Sequence, residues 1–88
     1  MTRNFAFATL AALVLPGAAM ALPAVGDQLG TDAETVRTAL ADHGCPVTGF
    51  EAEDGMIEAQ CTDTATNLPW EFYIDPKTGT VTNIKQED

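Results

Sequence analysis

A dipeptide near the middle of the chain, Asp54-Gly55, restricts the fold strongly. It separates two segments, 47–53 and 56–62, in which apolar and polar residues alternate. Asp-Gly between two such segments predicts a hairpin with a two-residue turn, because both residues tolerate the positive φ that this turn requires. One face of the hairpin is then formed by three facing pairs: Ile57 with Ala52, Ala59 with Phe50, and Cys61 with Thr48.

The opposite face of this hairpin is predicted to be polar and strongly acidic. Glu51 faces Glu58 across the two strands, with Glu53 and Gln60 on the same side. One apolar and one polar face is typical of an antiparallel sheet that packs on one side and meets water on the other.

A helix is predicted over residues 32–43, before the hairpin. Thr31 is a suitable N-cap and Glu34 completes a capping box, while Gly44 suits the left-handed residue that follows a helix. The side chains at helical spacing form one apolar stripe, which consists of Ala33, Val36, Ala39 and Leu40.

Two more strands are predicted after the hairpin, over 70–74 and 80–84, with a turn over 75–79 and a frayed tail over 85–88. The predicted fold is α+β, with one helix packed on a three- to four-stranded antiparallel meander. The expected core comprises Val36, Leu40, Phe50, Ile57, Ala59, Trp70, Phe72, Ile74 and Val81.

Residues 1–21 have the features of a cleaved signal peptide. Arg3 gives a positive start, 5–15 is uncharged and apolar, and Ala19-Met20-Ala21 is a small-x-small cleavage pattern. A retained membrane anchor is disfavoured, because the apolar segment is shorter than the ~20 residues that span a bilayer. We therefore expect a periplasmic or secreted protein, with a leading segment of coil over 22–30, a domain over 31–88 and no stable membrane insertion after cleavage.

Two cysteines, Cys45 and Cys61, lie in the part that remains after cleavage. In an exported protein such a pair is best interpreted as a disulfide, which a small domain often needs. The regular hairpin register leaves the two cysteines staggered, so a bulge or bend is expected beside them. A redox-active pair and a metal site are the alternatives, but redox motifs prefer C-x-x-C spacing and zinc needs about four ligands.

The charge excludes one class of partner. The whole chain has a formal charge of −9, and removal of Arg3 with the signal peptide takes it to −10. Nucleic acids and anionic membranes bind positively charged surfaces, so neither is an expected partner. A basic protein surface, a cation, or high solubility alone would each agree with this charge.

The segment Tyr73-Ile74-Asp75-Pro76-Lys77-Thr78-Gly79-Thr80-Val81 resembles the PepSY domain family, and the resemblance extends over about 31–85. The family pattern is a strand that ends in Asp, a turn with Thr-Gly and a following Val; here these are Asp75, Pro76, Thr78, Gly79 and Val81. The cysteine pair departs from the usual pattern. The resemblance implies a module that inhibits or modulates a peptidase or another envelope protein, and not an enzyme.

The candidate binding residues are those of the acidic face. A docking surface for a basic protein and a weak cation site are two functional interpretations, and a solvated acidic face that protects the sheet from aggregation is the third. A small acidic secreted protein with no specific partner therefore remains an alternative function. The candidate residues are Glu51, Glu53, Glu58, Glu71 and Tyr73.

No catalytic group, metal ligand set or cofactor is predicted from the sequence. The chain has no serine, and its one histidine, His43, falls at the end of the predicted helix, where a cation favours the helix dipole. Nucleophilic catalysis needs a nucleophile beside an oriented base.

Overall fold

The computed structural model describes residues 21–87, and it confirms the α+β fold. One helix, α1 (Ala33–Asp42), precedes four strands, and the strands form one antiparallel sheet in the order β1-β2-β3-β4. No helix in this part of the chain is long and apolar enough to cross a membrane. The predicted signal peptide lies outside the described residues except for Ala21. The strands are β1 (Val47–Glu53), β2 (Met56–Asp63), β3 (Leu68–Ile74) and β4 (Val81–Gln86).

The register of the first hairpin agrees with the prediction near the turn, and the irregularity expected beside the cysteines is present further away. Ala52 pairs with Ile57 and Phe50 with Ala59, as expected. Cys61, however, pairs with Val47 and not with Thr48, because the register shifts between Val47 and Gly49. This bulge leaves one extra residue in β1 and bends the strand where it approaches the helix.

The helix begins one residue later than predicted. Asp32, not Thr31, is the N-cap: its backbone is extended, and its carboxylate accepts the Thr35 amide at 2.9 Å and the Thr35 hydroxyl at 3.1 Å. The hydrogen bond from the Thr35 amide lowers the pKa of Asp32. Because the cap moves to Asp32, the capping box between Thr31 and Glu34 does not form; Glu34 lies 4.0 Å from the Arg37 guanidinium instead.

The core lies between α1 and one face of the sheet. Six of the predicted core residues are fully buried, whereas Phe50, Ile57 and Trp70 are partly buried and pack against them. Three hydrophobic residues of the core were not predicted. Leu29 comes from the leading segment, and Cys45 and Cys61 bury their sulfurs through the disulfide. The fully buried core is Leu29, Val36, Leu40, Cys45, Ala59, Cys61, Phe72, Ile74 and Val81.

A disulfide joins Cys45 to Cys61, as predicted, with their Cα atoms 5.3 Å apart. It links the residue that follows the helix to the second strand. Backbone hydrogen bonds support the same junction: the Cys45 amide donates to Leu40 at 2.9 Å and the Thr62 amide donates to Pro46 at 3.2 Å. The end of α1 is thereby fixed over the sheet.

The fourth strand is longer than predicted. It continues to Gln86, so Lys85 and Gln86 are not part of a frayed tail. The reason is that β3 also begins earlier, at Leu68, which provides partners for the end of the chain. Gln86 pairs with Trp70, and the Glu87 amide donates to the Pro69 carbonyl at 2.9 Å.

We predict that replacing both Cys45 and Cys61 by alanine lowers the free energy of unfolding by about 3 kcal/mol, because the unfolded chain gains the freedom of a ~15-residue loop. Urea denaturation followed by far-UV circular dichroism measures this loss. Wild-type protein unfolded under reducing conditions provides the comparison and should show a similar loss. An unchanged urea midpoint in the double variant would contradict a stabilising role for the disulfide.

Candidate functional site

The face of the sheet opposite α1, called the outer face below, carries all five predicted binding residues. The register places Glu51, Glu58 and Tyr73 side by side on β1, β2 and β3. Glu71 lies in the neighbouring row of the same face, opposite Gln60, and Glu53 lies two residues beyond Glu51. The sheet therefore gathers these side chains on one surface.

Glu58 is the exception to the expectation of a solvated acidic face. Its side chain belongs to an inner strand and is only 3% exposed, whereas Glu51 and Glu53 are exposed. The register explains this burial. Glu51 and Tyr73 flank Glu58 directly, and Glu53 and Glu71 lie on the diagonals, within reach of long side chains. Alternation predicts the face of a residue but not how its neighbours cover it.

Three carboxylates of the outer face come together at Glu58. One oxygen each from Glu51, Glu53 and Glu58 can be chosen so that all three atoms lie within 4.8 Å of one another. The Oε1 atom of Glu58 is buried and has no hydrogen-bond partner. Buried polar atoms in folded proteins nearly always have a partner, so an unpartnered carboxylate oxygen in this position calls for an explanation.

The surroundings of Glu58 make its charged form unfavourable. They raise its pKa from 4.5 to about 7. The largest cause is a hydrogen bond shared with the Glu53 carboxyl, which requires a proton; burial and the nearby Glu71 carboxylate add to it. The side-chain amide of Gln60 acts in the opposite direction by donating to the carboxylate.

Tyr73 is half-buried on the outer face, and its polar and aromatic parts both make contacts within the domain. Its hydroxyl donates to Oε1 of Glu71 at 3.2 Å, and the Lys85 ammonium lies 5.3 Å from its ring centroid. Burial, followed by the charges of Glu58 and Glu71, raises the pKa of Tyr73 to about 12. The hydroxyl therefore stays protonated and acts as a donor.

Two residues of this surface were missed by the sequence analysis. Lys85 belongs to β4 and pairs with Glu71, and burial together with the charges of Glu71 and Glu51 raises the pKa of Glu87. Both had been assigned to the tail. Predicting that β3 starts at Leu68 would have found them, because a longer β3 provides pairing partners for the end of the chain.

The Asp75–Val81 motif builds a turn that holds the leading segment. The Gly79 amide donates to the Asp75 carbonyl at 2.7 Å, and an Asp75 carboxylate oxygen accepts the Lys77 amide at 2.9 Å. The far side of the turn binds residues before the helix: Leu29 donates to the Gly79 carbonyl at 2.7 Å, and Val81 donates to Asp27 at 2.8 Å. Pro76 is partly buried in this turn, whereas Thr78 is exposed and its carbonyl accepts a hydrogen bond from the Gln28 side-chain amide at 3.2 Å.

His43 caps the helix, as expected, but it lies directly after the last helical turn, as the C-cap, and not within that turn. Its Nδ1 lies 2.8 Å from the carbonyl oxygen of Ala21. Ala21 is the last residue of the predicted signal peptide, so cleavage there would remove this carbonyl. His43 is also far in sequence from the acidic residues of the outer face and shares no hydrogen bond with them.

The raised pKa of Glu58 predicts a specific pH dependence. Folding favours the protonated carboxyl, so the contribution of Glu58 to stability is complete below pH 4.5 and is lost as the pH rises through about 7. Glu58→Gln keeps a neutral side chain at every pH. We expect this variant to gain stability relative to wild type over that interval, measured as the urea midpoint in chelator.

Glu34→Gln is the matched control for this experiment, because Glu34 is a glutamate exposed on the helix. The difference in urea midpoint between Glu34→Gln and wild type should not rise with pH as it does for Glu58→Gln. A constant difference between Glu58→Gln and wild type from acid to neutral pH would show that Glu58 titrates normally.

The turn glycine provides a second prediction. Gly79 has φ +77°, and a Cβ there would lie 3.0 Å from the carbonyl of Gly30, whereas Gly55 has φ +78° and open space around it. Gly79→Ala should therefore lower the free energy of unfolding by more than the ~1–3 kcal/mol that a strained φ alone costs. Gly55→Ala measures that φ cost in the same denaturation experiment. Equal losses in the two variants would refute a close approach between the turn and the leading segment.

Comparison with known families gives a match over most of the chain. The model of the PepSY family described as "Peptidase propeptide and YPEB domain" matches residues 5–85. The match starts earlier than the resemblance seen in the sequence and includes part of the predicted signal peptide. Comparisons with curated proteins and with solved structures found no match. Because the family model covers well over half of the chain, this protein belongs to the PepSY family.

Proposed function

We propose that this protein is an exported PepSY module that binds a basic surface of a peptidase or another envelope protein through its outer face, and thereby modulates that protein. The observation that carries the proposal is the concentration of acidic side chains on that face. Glu51, Glu53, Glu58 and Glu71 lie there together, and Lys85 is the neighbouring cation.

The acidic side chains of this face are not neutralised from within the domain. Among residues 21–87, the ion pair that the structure shows is between Arg37 and Glu34, and both belong to the helix. The Lys85 ammonium lies over the Tyr73 ring. A surface with this charge attracts a positively charged partner and speeds its association, especially at low ionic strength.

Export is supported by three independent features. The sequence has the three regions of a signal peptide, the two cysteines form a disulfide, and domains of this family are typically extracellular or periplasmic. Disulfides form and persist in such oxidising compartments.

A binding role, and not an enzymatic one, agrees with the chemistry of the described residues. Both cysteines are bridged, so neither is available as a thiolate. The chain contains no serine, and its one histidine, His43, is the C-cap of the helix, on the side of the sheet opposite the outer face. PepSY domains in general are non-catalytic propeptide or inhibitor-like modules.

The test is affinity capture from envelope extract with two variants of equal charge. Glu51→Gln/Glu53→Gln removes two negative charges from the outer face, and Glu34→Gln/Asp42→Asn removes two from the helix. With a chelator present, we expect wild type and the helix variant to retain the same saturable partner at moderate salt, and the outer-face variant to lose most of it. Proteolytic activity of the captured fraction then shows whether the partner is a peptidase.

Two outcomes would contradict the proposal. Equal loss of the partner in both double variants would mean that net charge, and not the outer face, controls binding. The absence of any saturable partner for wild type would favour the alternative, a small acidic secreted protein whose surface serves solubility.

A further inference from the structure

We propose that Glu51, Glu53 and Glu58 form a calcium site on the outer face of the sheet. The inference does not depend on the proposed partner, because the three ligands come from this domain alone. It assigns a cation to the point of the outer face where three carboxylates meet.

The geometry of the three carboxylates is suitable for this ion. Calcium binds oxygen ligands at about 2.3–2.6 Å, so two ligands on opposite sides of the ion are about 4.6–5.2 Å apart. No two of the three carboxylate oxygens are further apart than 4.8 Å, so all three can reach one ion at these distances. Magnesium binds at about 2.0–2.1 Å with strict octahedral geometry and usually keeps several of its own waters, so a site of three carboxylates suits it less well.

The second observation is the state of Glu58. Its side chain is 3% exposed, and the buried Oε1 atom has no hydrogen-bond partner. A solvated acidic face does not account for this, since water does not reach the atom. Edge protection does not account for it either, because β2 is an inner strand. A cation held between Glu58 and the two exposed glutamates would give these carboxylates the counter-charge that the described residues do not supply.

Water can complete the coordination of an ion at this site, and no lysine or arginine of the described residues pairs with its carboxylates. Three carboxylates, each binding through one or both oxygens, provide three to six of the ~6–8 oxygens that calcium takes, and water can supply the rest because Glu51 and Glu53 are exposed. The Lys85 ammonium, which belongs to the same face, lies over the Tyr73 ring and forms no ion pair with these carboxylates.

The experiment is a titration of the purified, oxidised protein with calcium at mildly alkaline pH, by calorimetry and by thermal unfolding. We expect one saturable site with a dissociation constant of about 10⁻⁴–10⁻³ M, the range of extracellular calcium modules, and a rise in melting temperature. Glu58→Gln should lose both responses, and Glu34→Gln should keep them. Sodium chloride of equal ionic strength should not reproduce the effect.

Backbone amide shifts measured by NMR during the titration locate the ion. The largest changes are expected at Glu51, Glu53 and Glu58. The proposal is overturned by a calcium response that persists in Glu58→Gln, by largest shifts at the Asp63 turn, or by no response in wild type. A stronger response to magnesium would overturn the choice of calcium. Since no partner is present in this experiment, its failure would leave the docking proposal standing, and the capture experiment in chelator is equally independent of calcium.

Discussion

The register set by the Asp54-Gly55 turn determines the composition of both faces of this sheet. A shift by one residue would move every side chain of β2 to the other face. In the observed register Ala59 is buried under the helix, and Glu58 meets Glu51 and Tyr73 on the outer face. The same backbone pairing therefore builds the core and brings the carboxylates together, so neither can change without the other.

The disulfide and the bulge in β1 together hold the one short helix on the sheet. α1 buries Val36 and Leu40, and a domain of this size has little other apolar surface to fix its position. In a strictly regular hairpin Cys61 would pair with Thr48. The register shift lets Cys61 pair with Val47, next to the end of the helix, where Cys45 meets it. The irregular strand and the covalent bond therefore support each other.

The sequence predicts most of the fold, because the fold follows from local patterns: alternation gives the strands, Asp-Gly gives the turn, and helical spacing gives α1. What it misses are competitions between neighbours and long-range contacts. Asp32, and not Thr31, is the N-cap; both residue types are good caps, so the sequence pattern does not distinguish between them. Leu29 is buried because a turn fifty residues later accepts its amide. For the outer face, alternation correctly predicted which side chains share that face, but the burial of Glu58 depends on neighbouring side chains in three strands.

The buried Glu58 has a cost that the fold itself does not require. Like charges directly opposite each other in a sheet are destabilising, and an unpartnered buried carboxylate oxygen loses its hydration without compensation. A threonine or valine on this inner strand would pack between Glu51 and Tyr73 without either penalty, and solubility would need only the exposed glutamates. Nothing in the hairpin register or in the core calls for a carboxylate there. The proposed cation and the proposed positively charged surface would each give this carboxylate an interaction outside the domain.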